Sequence, residues 1–238
     1  MKKNSILLFL LCSAMGAAAQ NWPEVRPEAR PGSRWWWLGS AVDKDNLNYN
    51  LKEYGKAGLG SLEVTPIYGV KGNKSHNIRF LSPEWMEMFR YTQEVGKTNG
   101  IDIDMNTGTG WPFGGPEVSL SQAAAKAIFE CYEVKGGESV KLEIDIRDTK
   151  EEKQRDVAYL DCLMAYGADG KVVNLTRKVK DGYLQWDAPT GDWKLVALFV
   201  GRTFQKVKRA APGGEGYVMD HFSPMAVKSY FERFDKAF

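Results

Sequence analysis

The sequence predicts an α/β fold, in which a partial (β/α)8 TIM barrel, made of the first three strands and helices, carries an inserted antiparallel β-sandwich-like domain. Two observations predict it. Between residues 34 and 106, alternating strand-like segments are separated by segments with helical spacing. Such a strand–helix–strand–helix–strand run forms a parallel sheet with right-handed crossovers. From residue 127 to 209, short alternating segments are instead separated by turn residues, as is typical of an antiparallel sandwich.

The elements of the first part follow in a regular order. A short strand at Arg34–Leu38 precedes a helix that Asp43 caps and that ends at a glycine. The second strand, Leu59–Pro66, places Glu63 on its polar face. A second helix follows a Ser-Pro start and leads into the third strand, Ile101–Asn106.

The stretch Ile101–Pro116 is the part of the sequence around which the rest is organised. Its first half alternates apolar residues with Asp102, Asp104 and Asn106, and its second half is a loop of glycines around Trp111. A polar strand face followed by a loop of glycines and aromatics is typical of one wall of a sugar pocket in a barrel enzyme. A phosphate-binding loop is the rival interpretation, but bulky rings stand where backbone amides should approach a pyrophosphate.

The domain boundaries follow from composition. Alternating residues and turn signals fill the β domain, and a helix that Ser223 caps, with Pro224 at its first position, comes after it. The predicted organisation is a signal peptide over 1–19, the first part of the barrel over 20–126, the β domain over 127–209 and a return to the barrel over 210–238.

The first residues have the layout of a secretory signal. Lys2 and Lys3 precede the apolar run Ile6–Leu11, and small residues end at Ala19. The run is too short for a stable membrane span. We therefore expect cleavage after Ala19, a mature protein that begins at Gln20, and an exported protein, either periplasmic or at the cell surface and beyond.

Composition excludes some partners and leaves one question open. The net charge is +2, without a basic stripe, which argues against nucleic acid as a partner. The two histidines, His76 and His221, form no metal-ligand pattern. Export would leave Cys131 and Cys162, which can be a disulfide or two buried thiols.

The length is short for the predicted fold. A closed barrel takes roughly 250 residues without insertions, and about half of that remains here. An open three-stranded sheet would leave an apolar edge exposed. We therefore expect the N-terminal piece of a longer protein, and a true stop after Phe238 would instead indicate a non-catalytic remnant.

Three segments together resemble the N-terminal part of the α-L-rhamnosidase family GH106. They are RWWWLGSAVDKDNLNYNLKEYGKAGLGSLEVTPIYGV, then NTGTGWPFGGP, then GEGYVMDHFSPMAVKSYF, in that order. The resemblance covers essentially the whole mature chain. It implies a large exported glycoside hydrolase with a (β/α)8 barrel and β domains. It also implies removal of terminal α-L-rhamnose from oligo- or polysaccharides with inversion, by a glutamate acid and a glutamate base, and some members of the family need calcium.

The candidate site residues divide into two groups. The acid and base of the family are expected beyond residue 238, so no catalytic residue is assigned. For substrate binding or its support we predict six residues near the ends of the three strands: Trp37, Glu63, Asp104, Asn106, Thr107 and Trp111. No cofactor is assigned from the residues, and the resemblance allows calcium. The alternative function is a carbohydrate-binding protein or a remnant without activity. In that case Trp186 and Trp193 of the β domain could stack on a sugar, but they could equally be cross-strand residues of the core of that domain.

Overall fold

The computed structural model describes residues 25–238, so the predicted signal peptide lies outside the described residues. Within them the chain forms three α-helices: α1 (Lys44–Lys56), α2 (Pro83–Thr98) and α3 (Pro224–Ala237). The strands are β1 (Gly32–Leu38), β2 (Ser61–Ile67), β3 (Asp102–Met105), β4 (Gly114–Gly115), β5 (Ala125–Lys135), β6 (Ser139–Glu143), β7 (Tyr159–Gly167), β8 (Val172–Asn174), β9 (Val179–Lys180), β10 (Tyr183–Asp187), β11 (Asp192–Arg202) and β12 (Tyr217–Val218). The fold is mixed α/β with several sheets.

The three predicted strands of the first part form one sheet, in the order β1-β2-β3. Strands β2 and β3 are parallel. At the start of β1 and β2, the Gly60 amide donates to the Pro31 carbonyl, and at their end the Gly39 amide donates to the Ile67 carbonyl. The two strands therefore run in the same direction. Within residues 25–238 no sheet closes into a barrel, and its continuation into one stays a prediction.

The described chain divides into two compact units. The first comprises residues 25–35, 43–64 and 89–105, and the second comprises residues 36–42, 65–88 and 106–238.

In the first unit, helix α1 begins where the sequence predicts. The Asp43 side chain accepts a hydrogen bond from the Asn46 amide at 2.9 Å. The hydrogen bonds from Asn46 lower the pKa of this carboxyl below its ordinary value. Leu51 on the inner face of the helix packs with Leu62 and Ile101 into a small core, which fixes the helix on the sheet.

In the second unit, two antiparallel sheets contribute to one hydrophobic core. Their orders are β6-β10-β9 and β5-β11-β7-β8. Trp186 and Trp193 belong to this core, with ring centroids 5.1 Å apart and nearly perpendicular planes. The Trp193 indole donates to the Pro189 carbonyl at 2.8 Å. These two rings are therefore core residues and not a sugar platform.

A second group of aromatic residues packs in this unit around helix α3. Tyr230 and Phe234 are buried, and the ring of Phe234 contacts that of Phe80 edge to face. The helix begins where the sequence predicts, because the Ser223 hydroxyl accepts a hydrogen bond from the Ala226 amide. Strands β4 and β12 of the same unit pair in a two-stranded antiparallel sheet.

The two cysteines are free thiols. Cys131 lies on β5 and Cys162 on β7, and both strands flank β11. Separately, every helix in the described part of the chain is too short or too polar to cross a bilayer.

Candidate functional site

Strand β1 presents its tryptophans to opposite sides. Because side chains alternate along a strand, Trp35 and Trp37 share one face, and Trp36 lies on the other. Trp37 is 1% exposed and packs on Trp85, with centroids 5.6 Å apart. The prediction that Trp37 binds substrate is therefore corrected, since its ring is part of the core, and the exposed tryptophan of this strand is its neighbour, Trp36.

The ring of Trp36, which is partly exposed, contacts the ring of Trp111 in the glycine loop. The ring centroids are 5.8 Å apart at an interplanar angle of 69°, and the side chains are 44% and 38% exposed. Edge-to-face contact fixes two large rings against each other while leaving part of each in solvent. The pair is a preformed aromatic surface of the second unit, and we call Trp36 and Trp111 the tryptophan pair.

The loop that carries Trp111 is held by hydrogen bonds to the segment that follows the β domain. The Trp111 amide donates to the Lys208 carbonyl at 3.0 Å, and the Lys208 amide donates to the Trp111 carbonyl at 2.9 Å. The next turn is tied by the Ala211 amide, which donates to the Thr109 carbonyl. Gly110 permits this approach, because a Cβ at that position would lie 2.2 Å from the Lys208 carbonyl oxygen.

Asn106 and Thr107 join the third strand to this loop. The Asn106 side-chain oxygen accepts a hydrogen bond from the Gly108 amide at 2.8 Å, which turns the chain locally. The Thr107 carbonyl accepts a hydrogen bond from the Tyr230 hydroxyl at 2.6 Å. The structure thus gives both residues a part in shaping the loop, and their predicted contact with substrate stays a prediction.

Tyr68, directly after β2, adds a third exposed aromatic side chain. Its amide donates to the Arg209 carbonyl, and the Arg209 guanidinium lies 5.4 Å from the centre of its ring. The guanidinium also donates to the Tyr68 hydroxyl at 3.2 Å. Sequence reasoning missed this pair. Tyr68 had a signal, because it follows the end of a predicted parallel strand, whereas Arg209 had none.

The predicted carboxylates lie in the first unit. Glu63 and Asp104 are directly paired residues of the parallel strands β2 and β3. Glu63 also forms an ion pair with Arg34 on β1, with 3.0 Å between Oε2 and Nε. The structure thus places Glu63 and Asp104 next to each other on two hydrogen-bonded, parallel strands.

The described part of the chain contains no cluster of acidic side chains that would bind calcium. Among residues 25–238, no three histidine, cysteine, aspartate or glutamate side chains come together as metal ligands. Because Ca²⁺ takes six to eight oxygen ligands, the residues present do not fit this ion.

Comparison with known proteins identifies the family. A family model described as α-L-rhamnosidase, glycoside hydrolase family 106, matches residues 24–170 and 165–238. A protein of Formosa agariphila named putative β-glucuronidase is 24% identical over 243 residues. That match covers 87% of this chain and 21% of the relative, so the chain spans about a fifth of the relative's length.

A solved structure supports the same fold. The rhamnosidase from Novosphingobium sp. PP1Y superposes with a TM-score of 0.63 at 14% sequence identity. The match covers 90% of this chain and 37% of that protein. At this identity the similarity concerns the fold, and the family model covers most of the sequence. The chain belongs to the glycoside hydrolase family 106, the α-L-rhamnosidase family.

Proposed function

We propose that this chain forms the N-terminal part of an exported glycoside hydrolase that removes terminal α-L-rhamnose from complex glycans, and that the tryptophan pair receives the sugar. Family membership supports the reaction class. The observation that carries the assignment to this surface is the exposed, edge-to-face contact of Trp36 and Trp111. Trp36 lies near the carboxyl-terminal end of β1, and Trp111 belongs to the loop that follows the carboxyl-terminal end of β3. Barrel enzymes build their sites at these ends of the strands.

The chemistry of rhamnose suits such a surface. In a 6-deoxy sugar such as rhamnose, hydrogen replaces the C6 hydroxyl and C6 becomes a methyl group, so one side of the sugar is more apolar than that of an ordinary hexose. An exposed indole offers a rigid flat area at a small cost in side-chain entropy. Tyr68 and Arg209 supply a hydroxyl and a guanidinium in the same unit, and both can bond to sugar hydroxyls.

The carboxylates Glu63 and Asp104 are assigned to substrate binding or its support and not to acid and base catalysis. Inverting hydrolysis leaves about 6.5–9.5 Å between its two carboxyl groups, to admit a water molecule. Glu63 and Asp104 occupy paired positions on strands that are about 4.8 Å apart. Glu63 is also engaged by Arg34. By analogy with the family, we propose that the acid and base are two glutamates beyond residue 238.

The proposed architecture is the first part of a (β/α)8 barrel with the β domain inserted. The open parallel sheet β1-β2-β3 and the similarity to a rhamnosidase of known structure support it. Export rests on the signal-like residues 1–19. Mass spectrometry of the protein from its native host should give an N-terminus at Gln20, and an intact Met1 or an acylated Cys12 would contradict export by this route.

The binding test compares two sugars that differ in one group. Isothermal titration of the chain with methyl α-L-rhamnoside and with methyl α-L-mannoside, which has a hydroxyl on C6, isolates the contribution of the methyl group. We expect the rhamnoside to bind more tightly, because the added hydroxyl must be desolvated against the rings. Equal affinities, or no binding of either sugar, would contradict the proposed use of the tryptophan pair.

The activity test uses an aryl α-L-rhamnoside. The chain alone should release no rhamnose, because the acid and base of the family are proposed to lie beyond residue 238, and both carboxyl groups are needed for inverting hydrolysis. Measurable release by the purified chain would place the catalytic pair among these residues.

A second candidate function is sugar binding by the β domain without catalysis. A cavity of about 660 Å³ there is lined by residues that include Glu133, Tyr166 and Lys194. Tyr166 is exposed and offers its ring to this cavity. Tyr166→Ala should leave rhamnoside binding unchanged if the tryptophan pair is the site. Loss of binding in Tyr166→Ala, with Trp111→Ala unaffected, would favour the β domain.

A further inference from the structure

Two consecutive cations accompany the exposed aromatic residues of the second unit. Lys208 is paired with Trp111, and Arg209 is stacked on Tyr68. Both cations are exposed. One short segment thus places a guanidinium on the Tyr68 ring and a lysine in the backbone position opposite Trp111.

The geometry fixes the side on which Lys208 lies. Trp111 and Lys208 exchange both backbone hydrogen bonds, so they are directly opposed residues of an antiparallel bridge. Side chains of directly opposed residues project from the same face, with Cβ atoms about 5 Å apart. The Lys208 side chain therefore leaves the backbone on the same face as the Trp111 side chain. The position of the Arg209 guanidinium is given directly by its hydrogen bond to the Tyr68 hydroxyl at 3.2 Å.

Among residues 25–238, no carboxylate neutralises either cation. Ion pairs within residues 25–238 engage other cations, for example Arg147 with Glu130 and Arg233 with Glu117, but no carboxylate lies within ion-pair distance of Lys208 or Arg209. A guanidinium presents a planar array of donors that matches carboxylate and sulfate groups, and an ammonium adds a point charge.

We propose that the glycan bound here carries an anionic group on the sugar next to the terminal residue, and that Lys208 and Arg209 bind that group. The group is a uronic acid carboxylate or a sulfate ester, which share a negative charge and several acceptor oxygens. This inference rests on the proposed function, because it assumes that the tryptophan pair holds the terminal rhamnose. It adds a specificity that an aromatic surface alone does not provide, since indole and phenol rings accept neutral and charged sugars alike.

The test measures binding of the full chain to three disaccharides of identical linkage. They are rhamnosyl-glucuronate, its carboxyl-reduced form rhamnosyl-glucose, and a sulfate ester of rhamnosyl-glucose. Each exposed cation should contribute about threefold in affinity, so an anionic disaccharide should bind about tenfold more tightly than the neutral one. The difference should shrink in 1 M salt, where screening acts over roughly 3 Å.

The variants are Lys208→Gln, Arg209→Gln and their combination. Glutamine removes the charge and keeps a polar side chain, so the backbone bridge to Trp111 and the loop should persist. The matched control is Lys141→Gln, because Lys141 is an exposed lysine of the same unit that lies over an aromatic ring, that of Tyr183 at 5.7 Å, outside the segment that holds the glycine loop. We expect the double variant to bind all three disaccharides with the affinity of the neutral one, and the control to behave as the unaltered protein.

The outcomes separate this inference from the proposed function. A preference for glucuronate identifies a uronic acid as the neighbour, and a preference for the sulfated form alone identifies a sulfate ester. Equal binding of all three, or an equal loss in Lys141→Gln, overturns the inference and leaves the rhamnose assignment standing. Binding of methyl glucuronide that depends on Lys208 and Arg209, without binding of methyl rhamnoside, supports the anion site and overturns the rhamnose assignment. Absence of binding to every probe overturns both.

Discussion

The rings of Trp36 and Trp111 meet edge to face, with centroids 5.8 Å apart, although one belongs to strand β1 and the other to the glycine loop. One residue along the same strand, Trp37 makes a similar contact with Trp85, but inside the core. Adjacent tryptophans thus have opposite roles, one in a surface that can bind a ligand and one in packing. That difference makes the functional assignment testable by paired substitutions.

The first prediction concerns Trp37. Trp37→Ala should lower the free energy of unfolding by about 3–5 kcal/mol, because it removes a large side chain that is 1% exposed and leaves a cavity. Trp36→Ala, the control one residue away, removes a ring that is already partly in solvent, so its effect on stability should be smaller. Chemical denaturation of both variants checks this order. Equal losses would mean that the two rings pack equally well.

The second prediction concerns Tyr230 and alkaline pH. Burial is the main cause that raises the pKa of its hydroxyl above the ordinary value of 10.0. A phenol whose folded pKa is raised stabilises the fold fully below the unfolded pKa, and that contribution is lost as the pH rises through the folded pKa. The folded protein should therefore lose stability above about pH 10.

Tyr230→Phe removes the group that titrates and also its hydrogen bond to the Thr107 carbonyl. At neutral pH the variant should lose about 0.5–1.5 kcal/mol. Above pH 10 its stability should decline less steeply than that of the unaltered protein. Tyr49→Phe is the control, since that ring is largely exposed. Identical alkaline profiles of the Tyr230 variant and the unaltered protein would refute the prediction.

The third prediction concerns the cysteines. Cys131 and Cys162 lie on strands separated by β11, so about 10 Å divides their backbones. A disulfide requires Cα atoms roughly 4.4–6.8 Å apart. Titration of the denatured protein from Gln20 onward should therefore detect both thiols without reductant. A mass lower by two hydrogen atoms, together with no reactive thiol, would show a disulfide and a different strand arrangement.

Much of the fold could be predicted from local patterns. The caps Asp43 and Ser223 occupy the predicted helix starts, because short polar side chains satisfy the free amides there. The parallel order of the first three strands followed from alternation and helical spacing. Turn residues between short strands predicted the antiparallel sheets, and Trp186 and Trp193 could be assigned to their core only with the structure.

The candidate site was harder to predict for two physical reasons. Three identical residues in a row, Trp35 to Trp37, offer no polar contrast, so the sequence cannot tell which face is buried. Lys208 and Arg209 reach the glycine loop and Tyr68 through backbone bonds formed after the whole β domain has intervened. No local pattern encodes such a contact, because it depends on how distant segments pair.

The most direct test of the sugar-binding role of the tryptophan pair is Trp111→Ala, measured for both melting temperature and affinity for methyl α-L-rhamnoside. Because the ring is 38% exposed and the loop is held by backbone bonds to Lys208, the melting temperature should change little. The affinity should fall by about 1–3 kcal/mol, as expected when an aromatic platform is removed. A large drop in melting temperature with unaltered affinity would show that Trp111 is a packing residue, and would contradict the account.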